Sequence, residues 1–308
     1  LSHLLPRVSV PHCFSFSDLD SFPTLSPPAK LAVIGDPIAH SKSPQMHNPA
    51  LRHCGIDAQY VRVQVPVGSV GEALRKFAKA GFIGINVTIP HKFEALDTVD
   101  EVDPLARTLG AVNTVHVKDG RLLGYNSDGP GFLRSVKEAF KAEVKDLRVL
   151  ILGAGGGAGR AVAVQCALEH CQALTLVNRT ASKASELAIE LQGRGVQARS
   201  VAWDAETLAQ VLPEVDLIVN GTSLGMKPED APLLPAGSLL SRHLVFDMVY
   251  RAGGQLTQLG TLARQAGASY VDGVTLLLHQ GAISFEHWFD RPAPLDVMRA
   301  GLQEALCA

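Results

Sequence analysis

The sequence has no apolar run of transmembrane length; its longest apolar stretches sit inside segments that read as strands and helices. It has almost no net charge either. With 28 Lys and Arg against 30 Asp and Glu, the formal charge is -2, so no overall field favours nucleic acid or an anionic membrane. Cysteine is scarce: Cys13, Cys54, Cys166, Cys171 and Cys307 make five, an odd number with no C-x-x-C pair. That count argues against a disulfide framework and points to bystander thiols in a reducing, cytoplasmic setting. Cys166, His170 and Cys171 lie close together, but within a helical segment that offers no second ligand pair, so no metal is expected. No internal repeat is apparent. The first 30 residues lack a basic stretch followed by an apolar one, and Asp18 and Asp20 argue against an acid-poor transit peptide. Those residues, with six serines and five prolines and no helical or strand period, are expected to form a poorly ordered extension over 1–30.

What remains is enough for a large core. The chain has 308 residues, 46% of them hydrophobic and 19% charged, which suits one large or two ordinary domains of a globular enzyme. From Leu31 the pattern alternates between strand and helix. Strands are expected at Leu31–Gly35, Tyr60–Val65 and Phe82–Val87, and helices at Pro44–Cys54 and Val70–Lys79, the first of them capped by Ser43. Val112–Val117 and Arg121–Tyr125 flank Lys118-Asp119-Gly120, a hairpin signal. A second block opens with a helix from Asp128 to about Phe140. Strands follow at Arg148–Leu152, Leu174–Asn178, Val196–Val201, Asp216–Val219 and Leu244–Val249, and a helix at Arg160–His170 follows the first of them. Strands spaced by helices imply right-handed crossovers and a parallel sheet. The last helices, Val274–Trp288 and Leu295–Leu306, come after the final strand, and the second of them is expected to pack back on the first block. The fold class is therefore α/β. The expected domains are 31–127 with about 275–308, and a doubly wound nucleotide-binding domain over 128–274.

The strand Arg148–Leu152 runs into Gly153-Ala154-Gly155-Gly156-Gly157-Ala158-Gly159. Such a turn before a helix lets backbone amides approach a pyrophosphate at the positive end of the helix. Gly153, Gly155 and Ala158 fit G-x-G-x-x-A, and Gly159 offers G-x-G-x-x-x-G instead. An NAD site usually ends its second strand with a carboxylate for the ribose hydroxyls. Here Asn178-Arg179-Thr180 stands there, with Lys183 close behind. Cationic and hydroxyl groups without a carboxylate suit a 2′-phosphate, so the expected cofactor is NADP.

Polar residues gather at turns outside that motif. Asn86-Val87-Thr88-Ile89-Pro90-His91-Lys92 places an amide, a hydroxyl and an amine on a strand-to-helix turn, with Pro90 suited to the first helical turn. His40-Ser41-Lys42-Ser43-Pro44, Asn113-Thr114 and Asn126-Ser127-Asp128-Gly129 repeat the theme. Taken singly they read as helix caps or solvated side chains. Together they make a set of donors and acceptors for a compact polyol acid, with Ser41 and Ser43 suited to a carboxylate near a helix N-terminus.

These segments, with Ala111-Val112-Asn113-Thr114 and the late Asp272-Gly273…Leu277-Leu278-His279-Gln280, resemble the shikimate dehydrogenase family in order from about Leu31 to Leu306. The resemblance implies a two-domain α/β enzyme of chorismate and aromatic amino acid biosynthesis, reducing 3-dehydroshikimate to shikimate with NADPH, as a monomer or homodimer. It implies Lys92 and Asp128 as the catalytic pair and Ser41 and Ser43 as the carboxylate ligands. Asn86, Asn113 and Gln280 would meet the ring hydroxyls, and Thr88 and Tyr250 would line the same pocket. For the cofactor it implies Gly153, Gly155, Gly156, Gly157 and Ala158 at the pyrophosphate. Asn178, Arg179, Thr180 and Lys183 would lie at the adenosine phosphate, and Met248 and Gly273 towards the nicotinamide. Three departures stand out: Ser127 where Thr is commoner, a Gly-rich loop one residue longer, and Arg251-Ala252-Gly253-Gly254 where the family often has a proline after the tyrosine. Quinate dehydrogenase and a non-catalytic ligand sensor of the same family are the alternatives. Both serines and Arg179 weigh against the first, and Lys92 with Asp128 against the second.

Overall fold

The structure is a computed structural model and describes residues 13–22 and 24–307. The chain divides into two compact units. One takes the chain up to Arg107, then Val112–Tyr125 and Ser284–Gly301. The other takes Thr108–Ala111, Asn126–Ile283 and the chain from Leu302. The sequence reading had placed these boundaries at 127/128 and near 274/275.

The first unit is built on seven strands: β1 (Cys13–Ser15), β2 (Ala29–Gly35), β3 (Gln59–Gln64), β4 (Gly84–Val87), β5 (Glu101–Val102), β6 (Thr114–Lys118) and β7 (Arg121–Tyr125). They form one sheet in the order β1-β3-β2-β4-β6-β7-β5. β2 pairs in parallel with β3 and β4, and β6 runs antiparallel to β4 and β7. Leu31, Ala32 and Ile34 on β2 are inaccessible to solvent, the near-continuous apolar run of a strand covered on both faces. The β6–β7 hairpin closes through Asp119 (φ 51) and Gly120 (φ 76), consecutive left-handed residues that match the twist of the strands. Helices α1 (Ser43–His53), α2 (Val70–Lys79), α3 (Lys92–Thr98) and α4 (Pro104–Leu109) connect the strands. On α2 the buried residues Val70, Ala73, Leu74 and Phe77 follow the i, i+3, i+4, i+7 spacing of one face.

Three expectations are corrected here. The extension is ordered from Cys13 on: β1 pairs with β3, and Phe14, Phe16 and Phe22 pack on the core around Phe77 and Phe82. The Phe22 and Phe82 rings meet edge-on with centroids 5.5 Å apart, a tertiary contact that no local period announces. Residues 1–12 lie outside the described part. Ser43 is not a cap either: it is the first residue of α1, with Lys42 in the cap position and no side-chain capping bond. Finally, α3 starts at Lys92, so Pro90 precedes the helix, after a cis Ile89–Pro90 bond.

The second unit holds a six-stranded parallel sheet. Its strands are β8 (Arg148–Leu152), β9 (Ala173–Val177), β10 (Ala198–Ser200), β11 (Leu217–Asn220), β12 (Leu244–Asp247) and β13 (Ser269–Val271). The order β10-β9-β8-β11-β12-β13 is that of a doubly wound nucleotide-binding fold. Helices α5 (Asp128–Phe140), α6 (Gly157–Leu168), α7 (Ala181–Gln192), α8 (Ala205–Val211) and α9 (Gln258–Ala266) alternate with the strands. α10 (Gly273–Phe289) and α11 (Leu295–Cys307) follow. α6 begins three residues earlier than the sequence suggested. The unit boundary falls inside α10, and its last turns belong to the first unit, where Trp288 Nε1 donates to the Val115 carbonyl at 3.0 Å. β13 was not foreseen: three partly exposed residues are too few to show a period.

Candidate active site

In the first unit the polar residues fall into two hydrogen-bonded groups. Ser41 Oγ donates to Ser43 Oγ at 3.2 Å, and the Ser43 amide donates to Ser41 Oγ at 3.3 Å. Ser41 Oγ thus accepts from the first amide of α1 while Ser43 Oγ accepts from no helix amide, and both hydroxyls stand at the positive end of a helix, which favours an anion. Arg62, buried beneath them, donates from Nε to the Ser41 carbonyl at 2.7 Å and from Nη2 to Gln45 Oε1 at 2.9 Å, fixing the loop that carries the pair. Asn86 sits in the fully buried strand β4. Its Oδ1 accepts from the Tyr60 hydroxyl at 2.7 Å, and its Nδ2 donates to Ser284 Oγ at 2.8 Å and to the Asn113 carbonyl at 3.2 Å. Ser284 Oγ lies 2.8 Å from Thr114 Oγ1, which donates to Asn113 Oδ1 at 3.1 Å. The structure therefore pairs Ser41 with Ser43, and separately ties Asn86 and Asn113 to two residues that the sequence reading passed over, Tyr60 and Ser284. Tyr60 looks like one more apolar position of an alternating strand. Ser284 carried a signal, a hydroxyl in a helix otherwise rich in apolar residues.

The turn that carries Lys92 is pinned from several sides. Thr88 N–H donates to the Ile34 carbonyl at 2.9 Å, His91 N–H to the Thr88 carbonyl at 2.9 Å, and Asp36 N–H to the Ile89 carbonyl at 3.2 Å. The His91 ring is buried against the Val65 carbonyl, at 2.8 Å from Nε2. Lys92 is half-buried, and its own carbonyl accepts from Val112 N–H at 3.1 Å, which ties the lysine backbone to the segment that carries Asn113 into β6.

In the second unit Asn126 does the work of a cap. Its Oδ1 accepts from Asp128 N–H at 3.0 Å and Gly129 N–H at 3.2 Å, and its Nδ2 donates to the Ala111 carbonyl at 2.9 Å. Asp128 is the first residue of α5 and is buried, at 7% exposure. α5 lies directly on α10: a Cβ on Gly131 would come within 2.9 Å of the Gln280 backbone nitrogen. Gln280 Nε2 donates to the Leu277 carbonyl at 2.8 Å. Met248 and Tyr250 follow β12, whose last residue, Asp247, is a buried knot. Its carboxylate accepts from Asn220 Nδ2 at 2.8 Å, Val249 N–H at 3.1 Å and Thr257 Oγ1 at 2.6 Å. Burial raises its pKa above the ordinary carboxylate value, with those donors opposing the shift. A Cβ on Gly273 would fall 2.3 Å from the Met248 carbonyl oxygen, so these two expected cofactor residues are in backbone contact.

The Gly-rich loop has a definite register. Gly153 has φ 86, a conformation open to glycine at little cost. A Cβ on Gly159 would lie 2.3 Å from the Gly153 carbonyl oxygen, so Gly159 rather than Ala158 is the residue that lets α6 approach the strand. Gly156 occupies the cap position and Gly157 begins the helix. The Gly155 amide donates to Asn178 Oδ1 at 3.2 Å, and Asn178 Nδ2 donates to the Thr180 carbonyl at 3.0 Å. Arg179, Thr180 and Lys183 are exposed. A cleft of about 210 Å³ reaches Lys183 and is lined also by Ala154, Gly155, Arg160, Glu186, Leu187 and Glu190. The donor set suits a dinucleotide bearing an extra phosphate: open amides at a helix start, a cationic rim, and an amide where an NAD site places a carboxylate.

Comparison with known proteins agrees with these features. Residues 33–115 match the shikimate dehydrogenase substrate binding domain, residues 134–226 the shikimate / quinate 5-dehydrogenase family, and residues 273–303 the shikimate 5′-dehydrogenase C-terminal domain. The chain is 39% identical over 279 residues to a shikimate dehydrogenase (NADP(+)) of Methanopyrus kandleri, covering 90% of this chain and 95% of that one. A shikimate 5-dehydrogenase of Thermus thermophilus, solved with NADP(H) and shikimate, superposes with a TM-score of 0.79 at 34% identity, over 90% of this chain and 100% of that one. A quinate dehydrogenase of Corynebacterium glutamicum, solved with NAD, superposes with a TM-score of 0.80 at 28% identity, over 89% of this chain and 98% of that one.

Proposed function

The chain belongs to the shikimate dehydrogenase family, and we propose that it catalyses the reversible NADPH-dependent reduction of 3-dehydroshikimate to shikimate, a step towards chorismate and the aromatic amino acids. The observation that supports the substrate reading is the serine pair at the start of α1, whose hydroxyls bind each other while Ser41 Oγ also accepts from the first helix amide. A carboxylate can replace that mutual bond with two donors at once.

Gly153, Gly155, Gly156, Gly157 and Ala158 would hold the pyrophosphate of NADPH and Asn178, Arg179, Thr180 and Lys183 its phosphate end, Met248 and Gly273 would lie towards the nicotinamide, and the bound cofactor would supply the hydride. As the ketone oxygen gains charge, Lys92 hydrogen-bonds it and gives or relays the proton. Asp128 accepts from the neighbouring hydroxyl. Ser41 and Ser43 hold the carboxylate, and Asn86, Asn113 and Gln280 serve the ring hydroxyls beside Thr88 and Tyr250. The Asn86 amide hydrogens are already given to Ser284 and the Asn113 carbonyl, so what it can still offer a ligand is a lone pair on Oδ1. The enzyme acts in the cytoplasm as a monomer or homodimer.

Quinate oxidation is the competing reading, favoured by the likeness to an NAD-bound quinate dehydrogenase. Initial rates of reduced-nicotinamide formation, with shikimate or quinate and NADP or NAD in all four pairings, decide between them. Turnover confined to shikimate with NADP is the expected result. A preference for quinate or NAD would overturn the specificity, and silence from folded protein would favour a sensor.

A further inference from the structure

Asp247 ends β12 and is inaccessible to solvent, yet the proposed reaction gives it no task. Its place in the sheet suggests one. The strand order of the second unit reverses at β8, between β9 and β11, and a dinucleotide on such a sheet lies across that crevice with one half on each side. With Asn178, Arg179 and Thr180 after β9 at the adenosine phosphate, the nicotinamide half falls on the chain that leaves β11 and β12. The hydrogen-bond senses there can be assigned. Thr222 N–H only donates and lies 3.0 Å from one end of the Asn220 amide, so that end is Oδ1. The Nδ2 end then gives one hydrogen to the Leu224 carbonyl at 3.0 Å and the other to Asp247 Oδ1 at 2.8 Å. Thr222 Oγ1 donates to Asn220 Oδ1 at 2.7 Å and accepts from Leu224 N–H at 3.0 Å. That leaves its methyl group against the Gly-rich loop, where a Cβ on Gly153 would lie 2.3 Å from it. Asp247 Oδ1 also accepts from Val249 N–H at 3.1 Å, and the Val249 carbonyl accepts from Gly273 N–H at 3.1 Å. Val249 is thus held at both its amide and its carbonyl, which sets the backbone of Met248 and Tyr250 on either side. Oδ2 has a separate partner, Thr257 Oγ1 at 2.6 Å, which caps α9 by accepting from Gly260 N–H at 3.0 Å.

We propose that Asp247 is a positioning residue for the nicotinamide half of the cofactor: through Oδ1 it ties the turn after β11, which abuts the Gly-rich loop, to the Met248–Tyr250 segment after β12. The inference rests on the NADP-dependent reading of the second unit. One oxygen atom keeps the two segments that flank the nicotinamide half in a fixed relation, while the other serves only the start of α9.

The test compares two ligands on the full chain: NADPH, and adenosine 2′,5′-bisphosphate, which lacks the nicotinamide half. In Asp247→Ala the dissociation constant for NADPH, from fluorescence titration, should rise about tenfold, while that for the bisphosphate, from calorimetry, stays within about twofold. Asp247→Asn keeps an acceptor for Asn220 and Val249 and should return NADPH binding to within about threefold of the wild type. The kcat of Asp247→Ala should fall about ten- to hundredfold, because the hydride is then passed from a misplaced ring. Equal weakening of both ligands, or no rescue by Asp247→Asn, overturns the proposal.

Thr257→Val separates positioning from a general loosening of the unit. It removes the donor to Oδ2 and the α9 cap, so it should lower stability to urea yet leave the ratio of the two dissociation constants within about twofold. A tenfold change in that ratio would assign the effect to loosening and overturn the role of Oδ1. Asn220→Ala cuts the same link from the β11 side and has to show the same split between the ligands, which keeps the proposal open to refutation if Asp247→Ala does not fold. In the double variant the second change should add less than about threefold, because the two residues act as one unit. The binding arms use no substrate, so a wild type silent on shikimate sinks only the substrate reading, whereas a wild type that binds neither nucleotide sinks the cofactor reading and this inference with it.

Discussion

Acid should destabilise the first unit most strongly through His47, with a smaller part from His116, whose pKa burial also lowers. Its ring is 1% exposed, stacks on Tyr60 and leaves Nε2 without a hydrogen-bond partner. Burial lowers its pKa from 6.5 to about 3. A group whose folded pKa is depressed contributes stability that is present above the unfolded value and is lost as pH falls towards the folded one. Here that window runs from about pH 6.5 down to about 3. Within it the unfolded chain holds nearly one more proton than the native one, and each pH unit removes about 1.4 kcal/mol. Stability at pH 5 should therefore be about 2 kcal/mol below that at pH 8 from His47 alone. Carboxylates titrate too: Asp100 and Asp216 are held low by Arg75 and Arg148, and Asp247 is raised by burial. The comparison must therefore be with His47→Phe, which keeps a ring against Tyr60 and has nothing to protonate. Urea unfolding of both proteins between pH 8 and pH 5 should give curves that diverge by about 2 kcal/mol at the acid end. Parallel curves would refute the reasoning and mean that the buried ring finds a proton acceptor in the native state.

Lys92→Ala should lower kcat by about 10²–10⁴-fold, read from steady-state rates, because it removes the group that answers charge on the ketone oxygen. Ser41→Ala with Ser43→Ala should instead act mainly on the KM for shikimate, leaving kcat within about tenfold. Arg179→Ala should raise the KM for NADP by about tenfold or more while leaving the KM for NAD nearly unchanged, since only the former carries the phosphate. Gly159→Ala should abolish NADP binding by fluorescence titration or unfold the second unit, as its Cβ meets a carbonyl oxygen at 2.3 Å, whereas Gly156→Ala meets nothing closer than 3.6 Å and should bind nearly normally.

The sequence announced those features whose cause is local. The Asp119-Gly120 turn, the buried runs of β2 and β8 and the one-sided apolar face of α2 each carry their signal within a few residues. The strands it missed, β1, β5 and β13, span two or three residues and exist because a neighbour offers a place to pair. Ser43 was misread for a physical reason: Ser-Pro is the usual opening of a capped helix, yet the chain enters α1 one residue earlier and Lys42 takes the cap position. The site was legible as a set of residue types but not as a network. Asn86 is bound to Tyr60 across 26 positions and to Ser284 across 198, and nothing in a local window joins them.

Both sheets end in strands too short to recruit a neighbour. Among the described residues the outer strands are β1 and β5 in the first unit and β10 and β13 in the second, none longer than three residues. A long open edge is a template on which another chain can add its own backbone; a stub of two or three residues offers hardly one pair of amides before the chain turns away. Among the described residues, two copies thus find little footing for the simplest route of association, a sheet continued from one molecule into the next. What the described residues offer a second copy instead is helices and loops, whose side chains can be selective where a bare backbone ladder is not.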